Sequence, residues 1–302
     1  MLNIIGRKNL YFLISLLVIV PGLISLFFWG LRLSIDFTGG TRMTLLFPKV
    51  VNQQTVEKVK KVFNSEKAEI VTIQRSENRV ILRTKPLSEK QDALLLGKLK
   101  KSVGTLKQEE FETIGPTIGK ETTINAINTI IIASILIVLY IAWSFRKLPK
   151  PLSSWRFGIC AIIALIHDVL VVVGIFSILG HFLHVEVDSL FVTALLTVIG
   201  FSVHDTIVVF DRIRENLRKT LGVPFPQVVN DSILQTFVRS LSTSLTAILI
   251  LFTLLLFGGE STRWFIIALL IGITSGTFSS IFNAAPLLVV WQELDEKRRF
   301  RK

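Results

Sequence analysis

Cysteine is almost absent from this sequence. Of 302 residues only Cys160 carries a thiol, which excludes a disulfide within the chain and any cysteine-based metal cluster. Charge is sparse as well, at 19 % of the residues, against roughly 25 % in an ordinary soluble domain. Acidic residues are the scarcer kind: 22 Asp and Glu stand against 34 Lys and Arg, for a net charge of +12 and a pI of about 10.0. In a soluble protein that balance would point to nucleic acid. Here the basic residues gather in short stretches between apolar runs, and no nucleic-acid partner is expected.

What is present in quantity is apolar. Half of the residues are hydrophobic, 22 are Phe, and the mean hydropathy is +0.59. This is the composition of a membrane protein, with lipid as its first partner. A helical span needs roughly 20 apolar residues, and six runs qualify: Leu10–Leu31, Ile124–Phe145, Phe157–Leu179, Ser189–Phe210, Phe237–Phe257 and Trp264–Trp291. The first is long for a signal peptide and is followed by Arg32 and Asp36 rather than by a small-residue cleavage site, so it reads as an uncleaved anchor.

The loops give the orientation. Arg7 and Lys8 precede the first run. Arg146, Lys147, Lys150 and Arg156 follow the second, and Arg212, Arg214, Arg218 and Lys219 follow the fourth. Lys297, Arg298, Arg299, Arg301 and Lys302 close the chain. The opposite short loops hold His181, His184, Glu186 and Asp188, or Glu260 and Arg263. Both termini are therefore expected in the cytoplasm. Trp29, Trp143, Trp155, Trp264 and Trp291 all fall at run ends, where interfacial aromatic belts sit.

Three regions result: an N-terminus and first span over 1–31, a polar segment over 32–123 on the extracytoplasmic side, and a five-helix membrane domain with a cytoplasmic tail over 124–302. In the polar segment, strands are expected at Thr41–Phe47, Ala68–Gln74, Arg79–Lys85 and Leu106–Thr113. Helices are expected at Gln53–Glu66 and at Ser88–Val103, where Ser88 can cap. The order βαββαβ is that of a ferredoxin-like domain. The segment has no His and no Cys, and its carboxylates are scattered among lysines, so no enzyme site is expected there. The loop from Arg212 to Thr236 could hold an interfacial helix with Val228, Val229, Ile233 and Phe237 on its apolar face.

Charge inside the spans is the functional signal, because an ionisable side chain at membrane depth is costly. Asp205 lies about five residues inside the cytoplasmic end of span four, beside His204. Arg239 lies at a similar depth in span five, so both are about 8–10 Å from the boundary at 1.5 Å per residue. The two are expected to pair; an arginine that can leave lets the carboxyl take up a proton. His167 and Asp168 fall near the middle of span three. Serines and threonines line spans five and six, and Gly272 and Gly276 form a G-x-x-x-G for close helix packing.

Five stretches carry a resemblance to the SecF family, accessory membrane subunits of the bacterial protein-export translocon within the resistance–nodulation–division superfamily. Asp36-Phe37-Thr38-Gly39-Gly40 resembles the family's D-F-T-G-G signature. Gly115 and Pro116 open a stretch similar to G-P-x-x-G-K-E, and Ala164–Asp168 matches in span three. Gly200–Arg218, with Asp211 and Arg212, matches the span-four motif; Ser280–Pro286 matches the end of span six. The resemblance implies six spans and an external domain after the first. It further implies the inner membrane as location, association with a SecD sister subunit and the Sec channel, and help to an unfolded polypeptide in transit. The proton gradient would drive this, with protons as the coupling ion and no other cofactor or metal. The family's coupling residues fall on Asp205 and Arg239; His204 stands where the family usually has Asn, and Asp168 and His204 are further candidates. Asp36–Gly40 lacks the Lys-Ser/Thr ending of a phosphate loop and reads as a junction whose glycines permit unusual backbone angles.

Three other readings compete. A proton-driven transporter of a lipid or small molecule would share the superfamily architecture. An intramembrane aspartyl protease would need Asp168 and Asp205 as a close dyad. A passive scaffold would tolerate loss of Asp205 and Arg239.

Overall fold

The structure, a computed structural model, describes residues 3–145, 154–220 and 222–300. Arg146, Lys147, Lys150, Arg301 and Lys302 of the basic stretches lie outside the described residues. The chain divides into two compact units, residues 33–127 and the remainder.

In the unit 33–127, a short helix α2 (Ile35–Thr38) precedes strand β1 (Gly40–Leu46) and helix α3 (Gln53–Ser65). Strands β2 (Ile70–Ser76) and β3 (Arg79–Thr84), helix α4 (Glu89–Val103) and strand β4 (Lys107–Ile114) follow. The strands form one antiparallel sheet in the order β2-β3-β1-β4. Alternation decides which face is covered: Val80, Leu82 and Thr84 of β3 are buried and the residues between them are not. Met43, Leu45, Val80 and Leu82 share one core with Val59 and Phe63 of α3 and Leu95 and Leu99 of α4. Both helices start on side-chain caps. Asn52 accepts from the Thr55 amide, and Ser88 forms a reciprocal capping box with Gln91.

The other unit contains α1 (Lys8–Trp29), most of α5 (Pro116–Ser144), α6 (Ser154–Phe182), α7 (Ser189–Lys219), α8 (Phe225–Phe257), α9 (Arg263–Ser279) and α10 (Ala285–Phe300). Among the described residues six helical stretches are long and apolar enough to cross a membrane, the last running through α9 and α10. The chain is thus a multi-pass membrane protein. Small residues let the spans approach. A Cβ on Gly22 of α1 would stand 2.8 Å from the Gly174 Cα of α6, and nearby Ser25 and Ser177 join their hydroxyls at 2.8 Å. At one end of the bundle Phe145, Phe157 and Phe210 stack within a core that also takes Ile213, Val229 and Leu288.

Two expectations change here. No separate interfacial helix occupies 212–236: α7 runs on to Lys219, α8 already starts at Phe225, and Val228, Val229 and Ile233 are buried against the bundle core. Hydrogen bonds from Asn216 to Ser232 and from Arg212 to Gln235 hold the two helices together there. The sixth span is not one regular helix. A π-helical turn, Ser280–Ala284, separates α9 from α10.

Candidate functional site

Two buried carboxylates define the middle of the bundle. Asp168, midway along α6, is fully buried. Its Oδ2 accepts from Ser202 of α7 at 2.5 Å and from Ser279 of α9 at 2.6 Å. Its Oδ1 accepts from Ser275 of α9 at 2.7 Å and lies 3.0 Å from the Nδ1 of His167. Ser275 and Ser279 are four residues apart and so share one helix face, and Gly276 between them brings α9 close: its Cβ would lie 3.1 Å from Ser202. Four neighbours on a carboxylate use its full capacity to accept.

Asp205 follows Ser202 by three residues on α7 and is 2 % exposed. Its Oδ2 accepts from Ser244 of α8 at 3.4 Å, and Ser244 accepts from Thr277 of α9 at 2.6 Å. One residue further, Thr206 meets Ser280 at 2.9 Å. Ser240, a turn before Ser244, is buried with a hydroxyl that has no partner among the described residues. Spans three to six therefore enclose a seam of hydroxyls with a carboxylate in each half. The two aspartates share no hydrogen bond among the described residues; each keeps its own serines.

The expected pair of Asp205 and Arg239 is not formed. Arg239 is exposed and makes no ion pair among the described residues. The helix geometry gives the reason. Ser240 and Ser244 occupy the face of α8 that meets α7, and a residue one position before Ser240 is turned away by about 100°. His204 is likewise exposed, beside the buried Asp205.

The remaining motif residues lie apart from this seam. Asp211 pairs with Arg214 at 2.5 Å and Arg212 with Glu215 at 2.6 Å, both on the exposed end of α7. At the same end of the bundle Lys8 bonds Glu293 at 2.5 Å, Arg156 pairs with Asp295, and Asn230 accepts from the amide of Ile4 at 2.9 Å.

In the unit 33–127 two motifs meet. Gly39 (φ +70°) and Gly40 (φ +119°) both take left-handed conformations. A Cβ on Gly39 would lie 2.9 Å from Pro116 Cα, and one on Gly40 would lie 2.7 Å from the Thr84 carbonyl oxygen. Gly119 packs against the Gly39 amide, and Thr123 donates to the Phe37 carbonyl at 3.2 Å. The Asp36 amide donates to Ser34 Oγ at 3.2 Å, and Thr38 accepts from Arg83 at 2.8 Å. Asp36-Phe37-Thr38-Gly39-Gly40 thus seats on the Gly115-Pro116 start of α5.

A family model described as protein export membrane protein SecD/SecF, C-terminal, matches residues 96–294, and a SecD/SecF GG motif model matches residues 24–47. The chain belongs to the SecD/SecF family of protein export membrane proteins. A relative named protein translocase subunit SecF, from Thermobaculum terrenum, is 47 % identical over all of this chain and 98 % of its own length. A relative named protein translocase subunit SecDF, from Bacillus subtilis, is 33 % identical over 97 % of this chain and 38 % of its own length. The crystal structure of SecDF from Thermus thermophilus, titled a translocon-associated membrane protein, superposes with a TM-score of 0.83 at 35 % identity, covering 97 % of this chain. This chain spans 39 % of that one. As a member of the SecD/SecF family, the chain serves as an accessory subunit of protein translocation.

Sequence reasoning had singled out Asp168 and the small residues of span six but not their union. The missed residue is Ser202, together with the role of Ser275 and Ser279 as donors to Asp168. The signal that could have found them is the i, i+4 serine pair flanking Gly276 on span six, at the membrane depth of a carboxylate on span three.

Proposed function

We propose that this chain is the six-span subunit through which the proton gradient assists the Sec translocase in moving unfolded polypeptides across the inner membrane, in association with a SecD partner. One observation carries the reading: a carboxyl group, Asp205, is 2 % exposed in the middle of apolar helices, with the hydroxyls of Ser244 and Thr277 beside it and no ion pair among the described residues. An ionisable group kept in such a place needs a task, and protons are the coupling ion that suits an unpaired carboxyl.

Arg239 enters through the partner. It stands on α8, whose apolar window is only 11 % buried within this chain; that of α5 is 6 % buried. A guanidinium on such a face at membrane depth calls for protein cover, and a SecD subunit would supply it. Relatives that carry both names in one chain favour this arrangement. Protonation of Asp205 would then change how α7 and α8 meet, and the change would be read outside by the domain over 32–123. Its element order and the strand order β2-β3-β1-β4 favour a ferredoxin-like fold. The gathering of Lys8, Arg156, Arg212 and Arg214 with the chain ends favours cytoplasmic termini. We assign the chain no catalytic step and no cofactor.

The test is Asp205→Asn in vesicles that also contain the SecD partner and the Sec channel. Export that depends on the gradient is expected to vanish while ATP-driven export and co-purification with SecD persist. Gradient-dependent export at the wild-type rate would end this reading.

A further inference from the structure

A cavity of about 460 Å³ lies between α1, α6 and α9. It has the size of a small-molecule site. Its walls are apolar, with Val18, Val171, Ile175, Leu270 and Phe278 among them. The hydroxyls that border it are already engaged. Ser15 bonds Asn283 at 3.1 Å, Thr274 donates to the Leu270 carbonyl at 2.7 Å, and Ser275 donates to Asp168 at 2.7 Å. His167 is different. Only 11 % of its side chain is exposed, its Nδ1 faces Asp168, and its Nε2 is buried with no partner among the described residues. Three serine hydroxyls already donate to Asp168, so its carboxylate is placed to accept from His167 too; in the tautomer that donates from Nδ1, Nε2 presents a lone pair.

We propose that this cavity binds a membrane-dissolved amphiphile: an apolar chain ending in a single hydrogen-bond donor, such as a hydroxyl, placed on His167 Nε2. The apolar walls suit the chain, and a buried acceptor without a partner costs free energy that a donor recovers. A purely apolar molecule would leave that nitrogen bare. An anion would meet no donor and would stand beside the Asp168 carboxylate. His167 is midway along α6, so the ligand reaches it from the hydrocarbon layer. The head group would then touch the ring that bonds Asp168, which ties occupancy to the hydroxyl seam.

The experiment is photolabelling of the full chain in phospholipid vesicles with azioctanol, an alkanol carrying a photoreactive diazirine, beside azioctane, its analogue without the hydroxyl. Adducts are mapped by peptide mass spectrometry. Azioctanol adducts are expected to concentrate on the cavity residues of α1, α6 and α9 over the lipid-facing sides of α5 and α8. His167→Phe is expected to lower azioctanol labelling there by roughly five- to tenfold, the worth of one buried hydrogen bond, and to leave azioctane labelling unchanged. His167→Gln retains an acceptor and should retain labelling. Val18→Trp, at a position 42 % exposed and so tolerant of size, should exclude both probes. Adducts spread evenly over all lipid-facing helices, or equal azioctanol labelling in folded His167→Phe, would overturn the proposal; so would full labelling in Val18→Trp. None of these readouts depends on export, so the result stands apart from the function proposed above.

Discussion

The hydroxyl of Ser202 donates to Asp168 across 2.5 Å, although Asp205 stands only three residues further along the same helix. Helix α7 is therefore the common wall of two separate carboxylate sites. Among the described residues Asp168 has four polar neighbours drawn from three helices, whereas Asp205 has two hydroxyls, Ser244 at 3.4 Å and Thr277. The first arrangement holds helices together. The second leaves a carboxyl with unused capacity to accept or to bind a proton.

Removing the well-bonded carboxyl should cost stability. Asp168→Ala removes the acceptor of the Ser202, Ser275 and Ser279 hydroxyls, of which Ser279 can still turn to the Gly276 carbonyl. At about 0.6 kcal/mol for an average hydrogen bond between membrane helices, the expected loss is about 2 kcal/mol. Asp168→Asn, which keeps one accepting oxygen, should lose less. Unfolding of the purified chain in detergent micelles checks the order: wild type above Asn above Ala.

Helix α9 meets α7 without space for a methyl group. A Cβ on Gly272 would lie 2.1 Å from Val198 Cγ2, on a side chain that branching at Cβ keeps stiff. Gly272→Ala should therefore destabilise the chain by about 1–3 kcal/mol. Adding Val198→Ala should return most of that loss. The double mutant is the decisive sample: additive losses would mean that the two residues do not compete for the same space.

At the junction between Asp36–Gly40 and α5, backbone angle and space both demand glycine. Gly40 has φ +119°, and its Cβ would meet the Thr84 carbonyl oxygen at 2.7 Å. Gly40→Ala is expected to cost about 1–3 kcal/mol as backbone strain. Protease cleavage of the native protein within residues 33–127 should accelerate, and cleavage in the other unit should not.

Arg239→Gln should act in the opposite sense from Asp168→Ala. Because Arg239 is exposed with no ion pair among the described residues, the isolated chain should unfold within about 0.5 kcal/mol of wild type. Co-purification with SecD, or gradient-dependent export, should fall. A stability loss in the isolated chain as large as that of Asp168→Ala would contradict the exposed placement.

The unit 33–127 has a pH response of its own. Burial holds the Asp92 carboxyl above the usual carboxylate range, and the hydrogen bond from Gln108 at 3.1 Å pulls it partly back. With the folded form binding the proton more tightly, the stability from this group is present below the ordinary Asp range and is lost as pH rises through the raised value. Asp92→Asn should flatten that decline. Amide exchange in α4, corrected for the intrinsic effect of pH, reports it.

Much of the architecture was legible because its signals are local. All four strands and both long helices of the unit 33–127 fall within a few residues of their expected places, since alternation, caps and turns are encoded in short stretches. The serine cap at Ser88 and the glycine pair at Gly39-Gly40 are of the same kind. The seam was legible only in part. Depth along a helix can be counted, and it put Asp205 and Arg239 level with each other; rotation about the axis decides contact, and Ser240 and Ser244 hold the inward side of α8. The same limit hid the serines of Asp168, which come from helices far apart in the chain. An apolar run also says nothing of irregularity inside it, which is why the π-helical turn in the sixth span was not foreseen.

That turn has a consequence for the whole span. A π-helical turn accommodates one more residue than an α-helical turn, so the chain beyond it points about 100° away from where an unbroken α-helix would send it. Before the offset, Ser275 and Ser279 face Asp168; within the turn Asn283 reaches Ser15, and after it Asp295 reaches Arg156. The span works like a key with two sets of teeth cut at different angles. Deleting a single residue between 280 and 284 would realign the second set and spoil the fit at the end of the span that carries Asp295 while leaving every residue of the first in place.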